Sequence, residues 1–288
     1  MDPKEAVLYG VLPPAVITLV FVIASWQPWK RTGAPAGAWG SALGIGIGYA
    51  VADILIRGWH GLLPPGGGLM HPHIALVTAL VIAALTFRKS IGARLPISVI
   101  LTAGASALVL RAGLTNDFGA AIPYVAAATA AGVVMWMCVW SAAHKVRGAR
   151  IPLMLWAAAT GSSLILLQSH NAALAQMSGA LAASMGVFIL LGWIRPQIPA
   201  VLGAIPVYLL VMLGLLIAGR GFIEPWQKTH WALVLAAVAV ASPVVTALPL
   251  FRKLRPWAVT AAGVLLAFAI SAAGLYLTHD GFDFSGFR

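Results

Sequence analysis

The chain has 288 residues, of which 61% are hydrophobic and only 9% charged, with a formal net charge of +11. A water-soluble domain carries about a quarter charged residues, so a soluble globular fold is excluded and the expected solvent is lipid. The positive charge comes in short clusters between apolar runs, which is a topology signal and not a nucleic-acid footprint, while a single cysteine, Cys138, excludes an internal disulfide or a cysteine-based metal cluster.

Apolar runs of roughly 18 to 22 residues recur, the length an α-helix needs to cross about 30 Å of hydrocarbon. The alternation of barrel strands is absent, and continuous apolar runs satisfy their backbone internally only as helices. The first span is expected at about 6–26, interrupted by Pro13 and Pro14. The residues before it lack a basic stretch and no small-residue cleavage site ends it, so it reads as retained and not as a signal peptide. A second span at 39–59 carries Gly40, Gly44 and Gly48 four apart, and Asp53 and Arg57 near its end. A loop with Pro64-Pro65 and Gly66-Gly67-Gly68 leads to the third span at 73–87. The remaining spans are expected at 95–112, 121–141, 151–168, 172–194, 198–219, 230–250 and 257–277. Pro206 interrupts the eighth, and Pro243 and Pro249 the ninth, each freeing a carbonyl that a membrane interior must satisfy. The predicted fold class is all-α, a polytopic integral membrane bundle of about ten transmembrane helices.

Assigning the loops alternately puts twelve basic residues on one side, Arg88, Lys145, Arg147, Arg150, Arg195 and Arg255 among them, against six on the other. Positive loops stay inside, which predicts both termini outside. In this assignment all seven acids and six of the seven histidines fall on or near the outer face. Tryptophans near span ends, including Trp26, Trp39, Trp231 and Trp257, read as headgroup-level anchors, and Trp136, Trp140 and Trp156 are expected to act likewise. Ala and Gly richness with short loops suggests a bacterial inner membrane.

The two ends of the chain resemble each other. Val20-Phe-Val-Ile-Ala-Ser-Trp26 matches Val187-Phe-Ile-Leu-Leu-Gly-Trp193, His73-Ile-Ala-Leu matches His230-Trp-Ala-Leu, and Phe87-Arg88-Lys89 matches Phe251-Arg252-Lys253. Thr115-Asn116-Asp117 and Thr278-His279-Asp280 close the corresponding fourth and tenth spans. These matches predict a parallel duplication: a four-helix repeat at 1–118, a central helical hairpin at 119–171 and a second four-helix repeat at 172–288. Gly214 then stands roughly where the first copy has Asp53.

Asp53 and Arg57, on one helix face, can pair, and ionisable residues inside a membrane are costly enough to make a substrate or ion site worth testing. The alternative is a structural pair with Arg57 reaching the interface. The Gly40, Gly44 and Gly48 stripe is a surface for close helix approach. His60, His71, His73 and His279 with Asp280 are candidate metal ligands, and the recurrence of His73 as His230 favours a helix-start role over metal. No phosphate-binding glycine loop, His-Glu-x-x-His helix, nucleophile elbow or haem motif occurs, so the case for an enzyme is thin and no cofactor is expected.

The leading reading is a permease-like transporter of a small solute or ion, with its polar site towards the outer face. An alternative is a non-catalytic subunit or scaffold of a larger membrane complex, with the glycine stripe as the interface to another membrane subunit or a second copy. A third is a membrane enzyme at the outer face using His71, His73 or His279 with Asp280. The expected surroundings in all three are the lipid bilayer.

Overall fold

The computed structural model describes residues 8–26, 38–58, 70–88, 94–110, 118–169, 171–196, 201–221, 228–248, 251 and 254–279. Among these residues the regular secondary structure is all helical, with α1 Leu12–Trp26, α2 Ala38–Arg57, α3 His71–Arg88, α4 Arg94–Val109 and α5 Phe118–Lys145. Then follow α6 Arg150–Gln168, α7 Ala172–Ile194, α8 Val201–Gly221, α9 Lys228–Val240, a 3-10 segment Ser242–Ala247 and α10 Pro256–His279. Proline explains several of the starts. Pro72, Pro96, Pro152 and Pro256 each stand in the first turn of a helix, where the missing N–H has no intrahelical acceptor to lose. The side chain of Asn171 caps α7 by accepting from the Leu174 N–H at 3.2 Å.

Seven of the helices, namely α1 with the turn before it, α2, α5, α6, α7, α8 and α10, are long and apolar enough to cross a membrane. The other three contain shorter apolar stretches: His71–Leu85, Leu95–Val109 and Trp231–Val240. The largest departure from the expected spans is at the ninth, predicted as one helix over 230–250. There α9 stops at Val240 and the chain continues as the 3-10 segment, because Pro243 has no N–H to carry the ladder onward. Pro206 does not have this effect and lies inside an unbroken α8.

The core is centred on α6, α7 and α8, where Met154, Met177, Leu181, Met185, Ile205 and Tyr208 are wholly buried. Two of its polar groups are matched: the Tyr208 hydroxyl donates to the Leu155 carbonyl at 2.7 Å, and the Ser178 hydroxyl to the Ala159 carbonyl at 2.8 Å, whereas the buried Ser162 hydroxyl of α6 has no partner among the described residues. α8 is the axis of the bundle, in contact with α2, α3, α4 and α5 on one side and with α6, α7 and α9 on the other. Of the two helices expected to form a central hairpin, α5 lies mainly on α4 and α8, and α6 on α7 and α10, with α8 and the 3-10 segment in contact with both.

The glycine stripe of α2 is occupied within the chain. A Cβ on Gly40 would stand 2.5 Å from the Phe21 carbonyl oxygen, one on Gly44 3.0 Å from the Thr18 Cα, and one on Gly48 3.0 Å from the Pro14 carbonyl oxygen. All three neighbours belong to α1, so the stripe seats α1 and is not an open face for another subunit. Trp136 also departs from expectation. At 6% exposure it is a core residue and not an interfacial anchor, whereas Trp193, Trp231 and Trp257 are about two-thirds exposed near helix ends, at 70%, 67% and 68%.

Gly104 and Gly179 have no atom within 4 Å of an added Cβ. Each substitution, Gly104→Ala and Gly179→Ala, is expected to leave the melting temperature in detergent unchanged or raised, since Ala is favoured over Gly in a helix by about 1 kcal/mol. A lowered melting temperature would contradict the packing described.

Candidate functional site

α2 places Tyr49, Asp53 and Arg57 at successive i, i+4 positions, so their side chains follow one face of the helix. Gly58 ends the helix immediately afterwards: its φ of 85° is left-handed, and its N–H bonds the Ile54 carbonyl at 2.9 Å. Asp53 is buried, and one of its carboxylate oxygens accepts from Arg57 Nε at 2.6 Å. The same oxygen is in ion-pair contact with Arg57 Nη2. The Arg57 side chain keeps 15% of its surface exposed, so the charge pair runs from the interior towards the rim of the bundle.

Two further buried polar groups lie in the neighbourhood of this pair. Tyr49 is wholly buried, and its hydroxyl has no hydrogen-bond partner among the described residues. His71, the first residue of α3, is 1% exposed, and its Nδ1 likewise lacks a partner among the described residues. Arg57 lies within electrostatic range of both rings. The fourth side of the site is glycine: a Cβ on Gly214 of α8 would stand 3.2 Å from His71 Nδ1 and 3.5 Å from Val109 at the end of α4. The absence of a side chain at Gly214 leaves room for the imidazole.

The polar character continues into the bundle along α4. Ser106 and Thr102, four apart on one face below Val109, are buried, and neither hydroxyl has a partner among the described residues. Thr102 packs where a Cβ on Gly132 of α5 would fall, beside Leu213 of α8. Leaving a buried polar group unsatisfied costs about 1–3 kcal/mol, and such groups in a native fold call for an explanation such as water, an ion or a ligand. A phenol, an imidazole and two hydroxyls can each donate or accept, chemistry that suits a small polar or anionic species beside a cation.

The sequence singled out Asp53 and Arg57, and the structure brings them together. It singled out His71 as a metal ligand, and the structure places His71 beside this polar cluster. His71 and His73 are two residues apart on one helix, about 200° around its axis, so they diverge. His60 and Asp280 lie outside the described residues, as does the side chain of His279. Among the described residues no three His, Cys, Asp or Glu side chains group as a metal site would require. Tyr49, Thr102 and Ser106 were missed; the signal for each was its i, i+4 spacing to another polar residue.

No protein-family model, no curated protein and no solved structure matches this chain. Fold alone would not carry function across in any case, so the reading rests on the chemistry of the site.

Proposed function

We propose that the chain is a permease-like transporter of a small polar solute or ion, with Asp53, Arg57, Tyr49 and His71 at its binding site and α4 lining the path inward. In this reading all ten helices cross the membrane as two parallel halves, 1–118 and 172–288, joined through 119–171, and the Asp53 end and both termini face outwards. The observation that carries it is the buried Asp53–Arg57 pair with the Tyr49 hydroxyl and the His71 Nδ1 nearby, neither of which has a partner among the described residues. The position of the cluster supports the same reading, since it lies where α2, α3 and α4 of the first half meet α8 of the second. Alternating access needs a polar site between two bodies that can rock, and a site at the meeting of the two proposed halves suits that requirement.

Thiol labelling tests the proposal. In a Cys138→Ala background, Gly214→Cys is expected to react in intact cells with a membrane-impermeant maleimide added outside, because an outward-open state exposes the ring of His71 and its surroundings. Ala158→Cys, wholly buried in the core, is the control that stays unlabelled until the protein is unfolded. Failure of Gly214→Cys to react from either side of the membrane would count against a transport pathway through this site. The alternative, a subunit of a larger membrane complex, would need a different contact surface, since α1 already occupies the glycine stripe.

A further inference from the structure

At the opposite end of the bundle from Asp53, the α5–α6 turn, the last turn of α7 and the first turns of α6 and α10 enclose an open groove of about 670 Å³. The turn is fixed by Gly148, whose φ of +78° is left-handed. It lies directly on α7, because a Cβ on Gly192 would stand 2.5 Å from the Ala149 backbone nitrogen. The mouth carries Arg147 and Arg150, flanked by the exposed indoles of Trp193 and Trp257. Further along, the walls are Leu153 of α6 and Ala261 and Val264 of α10. The one polar side chain there, Thr260, directs its hydroxyl to its own helix, to the Pro256 carbonyl at 3.0 Å.

The groove is therefore cationic at its mouth and apolar along its length. Among the described residues Asp53 is the sole acid, and it sits at the other end, so no described carboxylate offsets the arginines. Lys145, Arg195 and Arg255 add to the same positive end without lining the groove. Guanidinium groups bind phosphate through paired N–H donors, indoles sit at headgroup level, and basic pockets between membrane helices take anionic lipid headgroups. A ligand complementary to all three features has a phosphodiester joined to an acyl chain.

We propose that this groove is a binding site for an anionic phospholipid of the Arg-rich leaflet, with its phosphodiester at Arg147 and Arg150 and an acyl chain along Leu153 and Val264. The site is independent of the transport reading.

The test is native mass spectrometry of the full chain purified in a mild detergent and offered phosphatidylglycerol or phosphatidylcholine. Phosphatidylglycerol is expected to stay bound preferentially. In R147Q/R150Q its retention should fall by about tenfold or more, while R195Q/R255Q, at the same end but outside the groove, should retain it as the parent does. Val264→Trp, which fills the apolar wall and leaves both arginines, should also reduce retention. Melting temperatures of the lipid-free variants identify any that fail to fold, and the Val264→Trp and R147Q/R150Q results then stand as independent checks on each other. Equal loss in both arginine pairs would overturn the proposal in favour of diffuse surface attraction. Equal retention of phosphatidylcholine would overturn it as well. So would displacement of the lipid by glycerol 1-phosphate with no effect of Val264→Trp, which would make the groove a site for a soluble phosphate.

Discussion

Asp53→Leu is expected to destabilise the protein strongly, and the double substitution Asp53→Leu/Arg57→Leu to recover most of that loss. Removing one member of a buried ion pair leaves the other charge without compensation, at about 3–5 kcal/mol, whereas replacing both by apolar side chains of similar volume is often neutral. The lower part of that range applies here, because the Arg57 side chain is 15% exposed at the end of its helix and can turn its guanidinium towards the interface. Thermal unfolding in detergent measures the first half of the expectation. The second half is functional: the well-folded double variant should fail to complement a deletion strain, as should Asp53→Asn, which keeps the shape and loses the charge. A double variant that is stable and complements fully would show the pair to be structural, and the proposed binding role would fall with it.

Gly203→Ala is expected to be among the most damaging single-methyl changes in the chain. An added Cβ would fall against the Ala38 carbonyl and 2.6 Å from the Ser41 hydroxyl oxygen at the start of α2. The Ser41 side chain can rotate, although it already donates to the same Ala38 carbonyl at 2.8 Å. The carbonyl belongs to the backbone and cannot move unless α2 and α8 separate. Overpacking of this kind costs about 1–3 kcal/mol, and Gly203→Leu should prevent folding. Gly104→Ala and Gly179→Ala, with open space at the same atom, supply the comparison within one chain. If all three alanine variants melted together, α2 and α8 would not approach as closely as described.

Much of this arrangement was legible in the sequence, and the parts that were not share a cause. Runs of apolar residues separated by Pro, Gly and basic clusters locate helices well, since the bilayer forces backbone groups to pair locally. The start of each helix accordingly fell within a few residues of its predicted position for most of the chain. The same composition says little about which helices touch, because nearly every face is apolar and lipid competes with protein for all of them. The stripe at Gly40, Gly44 and Gly48 was recognisable as a contact surface, but only the structure gives its partner as α1. The site divides in the same way. A charged pair within a span is conspicuous in sequence, so Asp53 and Arg57 were found. Tyr49, Thr102 and Ser106 are ordinary residues for a membrane helix, with only their i, i+4 spacing as a sequence signal, and their burial without a partner among the described residues had to come from the structure.

The unequal lengths of neighbouring helices bear on the surrounding lipid. α5 has 28 residues and, at 1.5 Å per residue, is about 42 Å long. Its neighbour α4 has 16, about 24 Å. If both cross the membrane, as the ten-span reading proposes, they meet hydrocarbon about 30 Å thick, and side by side one helix is too long and the other too short. Tilt of α5 relieves the first mismatch, and local thinning of the bilayer against α4 relieves the second. In that reading this flank of the protein imposes a step in membrane thickness, and its energy should vary with the acyl-chain length of the host lipid.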